Sequence, residues 1–130
     1  MNDTLKLLDE FQDKLLALIQ SEQNRLGTIT EDHLLYKDDI FNALALELIS
    51  LQQSANPYLA KQLEQASVNT QSLYHWKKIP GVPTRAFKLI DWSCIPENKR
   101  SQVFYSSGTT GKDASRHWHH GRSLELYETL

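Results

Sequence analysis

Ser106, Ser107, Gly108, Thr109, Thr110 and Gly111 form an unbroken run of hydroxyl and glycine residues, preceded by Val103, Phe104 and Tyr105 and followed by Lys112. A backbone rich in glycine and small residues can curl so that successive N–H groups point into one concavity, and such a concavity binds anions. The hydroxyls of Tyr105, Ser106, Ser107, Thr109 and Thr110 add donors, and Lys112 and Arg116 supply positive charge. The chemistry this combination offers is the grip of a polyphosphate, so a nucleotide is the expected guest. Composition alone also fits a Ser/Gly turn joining two strands of a hairpin. The P-loop pattern of the common NTPases is not met, because it requires Gly where Ser106 stands and Ser or Thr where Asp113 stands.

Other residues in the same part of the chain invite chemistry. His117, His119 and His120 form the sequence HWHH, and strand alternation would place His117 and His119 on one side, as a metal pair requires. Two imidazoles with no third ligand nearby make a poor zinc site, so a surface or loop-packing role is expected and no metal ligand is assigned. His75, beside Trp76, reads as structural. Cys94 has no base or positive neighbour in sequence to lower its pKa and reads as an ordinary buried thiol. Asp38 and Asp39, like Glu31 and Asp32, fit the solvated first turns of helices, where negative charge is favourable.

The elements that must position these groups divide into an α-rich front, residues 1–70, and a connector followed by strands and the loop, residues 71–130. From Asp3 as N-cap, Leu5, Leu8, Phe11, Leu15, Leu18 and Ile19 recur at helical spacing, and Gly27 ends the helix. Thr30 is the expected cap of a short segment through Leu35 and Tyr36. A second helix is expected from about Lys37 to Gln53, apolar over more than half its circumference and therefore buried on two sides. Asn56 and Pro57 start a third, reaching about Ala66. Pro80, Gly81, Pro83 and Pro96 then break the chain into short pieces with a turn near Thr84 to Lys88. Trp76, Val82, Phe87, Ile90 and Trp92 give that connector enough apolar area to be ordered. Strands are expected at about Gln102 to Tyr105 and Ser115 to His119, with a helix beginning near Gly121. The fold class is α+β: N-terminal helices, a connector and a β-hairpin carrying the phosphate loop.

Length and charge limit the function classes. With 130 residues and a formal net charge of −2, the chain has no basic block of the kind that nucleic-acid binding needs. The opening MNDTLKLLDEF lacks a cationic leader, no apolar run reaches membrane-spanning length, and the single cysteine excludes an intrachain disulfide. The expected location is the cytoplasm.

Three blocks carry a family resemblance. VFYSSGTTGKDASRH resembles the phosphate loop of the adenylate-forming enzymes, and more closely that of the acyl-protein synthetases of the bacterial bioluminescence type, the long-chain fatty acid–protein ligases. Ser115, Arg116 and His117, and later Leu126, Tyr127 and Glu128, stand where those synthetases have Ser-Arg-His and Leu-Tyr-Glu. Upstream, Phe41 to Leu59 resembles the family's helix and Asn-Pro turn, and Ile79 to Lys88 its linker. The wider adenylate-forming pattern has Pro and Lys one residue after the loop, whereas this chain has Lys112, Asp113 and Ala114. The basic role therefore moves to Lys112 or Arg116, which suits the acyl-protein synthetase branch.

The resemblance implies an α/β adenylate-forming parent fold and an ATP- and Mg²⁺-dependent acid–thiol ligase. In that reaction a fatty acid or other carboxylate becomes acyl-AMP and then passes to a thiol, with an acyl-acceptor or reductase protein as partner. It implies that Ser106, Ser107, Gly108, Thr109, Thr110, Gly111, Lys112 and Arg116 hold the ATP phosphates. The adenine pocket, acyl site, Mg²⁺ ligand and catalytic lysine of that family have no counterpart here, so no catalytic residue is assigned. The chain is expected to be the N-terminal portion of such an enzyme, inactive alone, with a non-catalytic helical interaction module or a truncated remnant that retains the phosphate loop as the alternative.

Overall fold

The computed structural model describes residues 2–27, 31–106 and 114–129. Helix α1 spans Asn2–Leu26 and buries Phe11 and Ile19 along its apolar stripe. Gly27 ends it with φ +74°, its N–H donating to Gln23 O at 2.8 Å, a conformation that favours glycine. Asp3 lies inside the first turn of α1 rather than at its cap, so its charge acts on the helix dipole. Thr30 falls outside the described residues. Glu31 and Asp32 stand in a turn, not in a helical first turn, ahead of a 3-10 turn at Leu34–Tyr36.

Glu22 explains how that turn is held. Its carboxylate is 3% exposed and accepts from Arg25 Nε at 3.0 Å, Arg25 Nη2 at 2.7 Å and the Leu34 backbone N–H at 3.0 Å. Chiefly through Arg25, with the Leu34 N–H helping and burial opposing, the carboxyl is held down from an ordinary 4.5 to about 2. A depressed carboxyl contributes stability that is complete above its unfolded pKa and is lost as pH falls through the folded one. Thermal unfolding followed between pH 5 and pH 2 should therefore show a falling midpoint that Glu22→Gln flattens. Parallel profiles for the two proteins would contradict this assignment.

Helix α2, Asp38–Ala55, packs against α1 on one side and against helix α3, Pro57–Gln65, on the other. This double contact accounts for its broad apolar circumference. Asn56 caps α3, its Oδ1 accepting from the N–H groups of Tyr58 at 3.0 Å and Leu59 at 3.2 Å. At the other end Ser67 adopts φ +54°, Val68 N–H donates to Leu63 O at 2.9 Å and Ser67 N–H to Glu64 O at 3.0 Å. That pair of bonds is a Schellman ending with serine in the place glycine usually takes.

The core joins Ile49 of α2 to Leu59 and Leu63 of α3, and the connector adds Leu73, Ile79 and Trp92 to it. The connector is ordered by such contacts and by polar ties. Asn42 Oδ1 accepts from Trp76 N–H at 2.7 Å, and Asn42 Nδ2 donates to Tyr74 O at 3.0 Å. It contains 3-10 turns at Trp76–Lys78 and Glu97–Lys99 and the short helix α4, Ala86–Leu89. Strands β1, Gln102–Tyr105, and β2, Arg116–His119, form an antiparallel pair, and helix α5, Gly121–Thr129, follows directly. The chain is thus α+β, mostly helical with one two-stranded hairpin among the described residues. Helix α5 returns to α1, where His120 Nε2 lies 3.0 Å from Asp9 Oδ1 and Arg122 pairs with Asp13. No described helix is long and apolar enough to cross a membrane.

Candidate functional site: the hairpin and its base

Val103, Phe104 and Tyr105 are β-formers, and they pair in register with Trp118, His117 and Arg116. The open end of the ladder is closed by serines. Ser106 N–H donates to Ser115 O at 3.1 Å, and Ser115 N–H donates to Ser106 Oγ at 2.9 Å. Residues 106 and 115 are thereby brought together, with Ser115 buried at 8% exposure and Ser106 exposed. Of the expected phosphate ligands, Ser107, Gly108, Thr109, Thr110, Gly111 and Lys112 lie outside the described residues.

Arg116 projects from β2 toward the connector, its Nε 3.0 Å from Asp91 Oδ1. Asp91 is the hub of a small charged cluster. Trp118 Nε1 donates to its Oδ1 at 3.0 Å, and Arg100 Nη1 lies 3.6 Å from its Oδ2. Arg100 is further fixed by donating from Nε to Ile95 O at 2.9 Å, and its guanidinium sits 5.5 Å from the centre of the Trp118 ring. Two arginines thus share one carboxylate beside the hairpin. Nothing in the sequence singled out Asp91, a lone acid between Ile90 and Trp92.

The histidines have packing partners. His117 stacks on Phe87 with ring centres 5.2 Å apart, and His119 meets the edge of Phe104 at 5.2 Å. His119 Nδ1 lies 3.1 Å from Ser123 Oγ. Burial, then the neighbouring His117 and His120, lower the His119 pKa and favour its neutral form. Among the described residues no group of three or more His, Cys, Asp and Glu side chains could hold a metal ion. His75 caps the Trp76–Lys78 turn by accepting from Lys77 N–H at 3.2 Å, a structural role. Burial pushes the Cys94 thiol up to about 11, so it stays protonated at neutral pH and is a poor nucleophile.

Neither a family model, nor a curated protein, nor a solved structure matches this chain.

Proposed function

We infer that the chain supplies the phosphate-gripping segment of an ATP-dependent acyl-protein synthetase. The observation that carries this reading is the reciprocal Ser106–Ser115 pairing at the end of the β1–β2 ladder. It brings Ser106, where the Ser/Gly/Thr run begins, against Ser115, which lies beyond Lys112 and next to Arg116. In this reading Ser106, Ser107, Thr109 and Thr110 donate to phosphate oxygens, Gly108 and Gly111 let the backbone approach, and Lys112 with Arg116 offsets charge on the departing pyrophosphate. Such a loop acts by positioning and electrostatics and forms no covalent bond. ATP and Mg²⁺ are the cofactors of the complete enzyme, whose proposed reaction activates a fatty carboxylate as acyl-AMP and transfers the acyl group to a protein thiol. Residues beyond those of this chain would supply the adenine, acyl and metal contacts.

Titration calorimetry of the full chain with ATP and with pyrophosphate tests the reading. Saturable heat is expected from both, and Gly111→Val should weaken binding about tenfold or more by denying the backbone its approach. Heat that is absent, or that Gly111→Val leaves unchanged, would sink it.

A second reading has its own observation. Phe104 and Tyr127 are 43% and 73% exposed, and their rings stack with centres 6.4 Å apart. An aromatic cluster of this kind suits a non-catalytic module that docks on a protein partner. It predicts no phosphate-dependent signal in the same titration.

A further inference from the structure

Among the described residues β1 and β2 are the whole sheet, so each strand keeps an outer edge. Ser106 N–H donates to Ser115 O at the loop end of the ladder. Alternation along an antiparallel pair then turns the N–H and C=O groups of Gln102 and Phe104 toward β2, and those of Val103 and Tyr105 outward. No described backbone group bonds to Val103 or Tyr105 from that outer side. The two edges are not protected alike. Strand β2 also packs against α4 and α5, whereas the main contact of β1 is with β2. Gln102, Val103, Phe104 and Tyr105 include no charge and no proline, the usual means of blunting an edge. An uncharged edge of β-forming residues in a sheet of two strands is a template for a further strand.

We propose that β1 pairs antiparallel with β1 of a second copy of this chain, across a two-fold axis at Phe104, giving a four-stranded sheet in the order β2, β1, β1, β2. The chain itself fits its own edge. With Phe104 opposite its symmetry mate, Val103 and Tyr105 of each copy face Tyr105 and Val103 of the other, and every outward N–H and C=O group of the strand finds a partner. Phe104 then occupies a non-hydrogen-bonded pair, the closer type. Its ring, 43% exposed and stacked on Tyr127, meets the same ring of the second copy. On the opposite face Tyr105, 63% exposed, packs beside Val103 of the second copy. A shift of register by two residues carries Val103 or Tyr105 past the end of the opposing β1, so the central register is preferred. Self-pairing also brings like residues near the axis, and the absence of charge on β1 spares it the repulsion that this would otherwise cause. The inference concerns the outer edge of β1 and stands independently of the nucleotide reading.

Sedimentation equilibrium of the full chain at about 10 μM to 1 mM tests it, because a short strand pair buries little area and associates in that range. The weight-average mass should rise with concentration from 15.0 kDa toward twice that value. Val103→Pro deletes an outward N–H and leaves the ladder to β2 intact. It should weaken association about tenfold or more, since the two-fold axis removes the bond twice. Phe104→Lys sets two ammonium groups against each other at the axis and should weaken association in a way that added salt relieves. A chain that stays monomeric throughout, or association that Val103→Pro leaves unchanged, overturns the proposal. If neither variant folds, an isotope-filtered NOE in a mixture of labelled and unlabelled natural chain decides. A contact from the Val103 methyls of one copy to the Tyr105 ring of the other supports the pairing, and its absence from an associated sample overturns it.

Discussion

Leu63→Ala is expected to lower the free energy of unfolding by about 3 kcal/mol, the middle of the range for large-to-small changes in a packed core. Leu63 is 0% exposed and sits between Ile49 and Leu59, with Val68, Leu73, Ile79 and Trp92 packed around them. Its position near the end of α3 makes it a junction: its carbonyl accepts the Val68 N–H that turns the chain into the connector. Truncation leaves a cavity that the helix and the connector cannot close together, because the Schellman bonds fix their approach. Urea unfolding followed by far-UV circular dichroism measures the effect as a fall in midpoint at constant slope. Leu63→Met, which conserves volume, should cost less than about 1.5 kcal/mol. A loss under about 1 kcal/mol for the alanine variant would mean that the site collapses freely and that the core lies elsewhere.

Asp91→Ala carries the second large effect, about 2 kcal/mol, through electrostatics and hydrogen bonding rather than volume. The substitution removes the acceptor of Trp118 Nε1 and the acidic partner of both Arg100 and Arg116. Arg100 is the costly one, with only 15% of its side chain exposed, whereas Asp91 at 41% and Arg116 at 35% are partly screened by water. The loss is therefore smaller than for a fully buried pair. Asp91→Asn keeps an acceptor for Trp118 and loses the charge, so it should recover about half of the stability. Thermal unfolding of the two variants, read with Trp fluorescence, separates the contributions. Equal midpoints for alanine, asparagine and the natural chain would show that the hairpin is anchored without this cluster.

Much of the secondary structure was legible because its causes are local. The Leu5 to Ile19 stripe, Gly27 at the end of α1 and Asn56 with Pro57 at the start of α3 are each signalled within a few residues, and each does what its type predicts. The turn near Thr84 to Lys88 and both strands stand within a residue or two of their expected limits. The misplacements have physical reasons as well. Asp3 could cap or could sit in the first turn, since both uses favour an acid there. Glu31 and Asp32 carry the composition of a helix start, but the short element they precede is set by the Glu22 carboxylate binding Leu34 N–H. Ser67 gave no glycine signal for the left-handed residue that ends α3.

The candidate site divides in the same way. The Ser/Gly/Thr run from Ser106 to Gly111 and its basic neighbours are visible in sequence because an anion-binding loop is written in consecutive residues. By itself the sequence determined the longer helices and the hairpin strands, since periodicity and caps act over a few positions, whereas the proposed loop falls on residues outside those described. Tertiary structure alone decided that Asp91 meets Trp118, 27 residues away, and that Asp9 meets His120, 111 residues away. It also decided that Asn56, an ordinary cap on paper, lies 1% exposed where α2 and α3 meet the connector. Such pairings depend on how the connector folds back over α2 and α3, and that path is set by burial of scattered apolar residues rather than by any pattern along the chain.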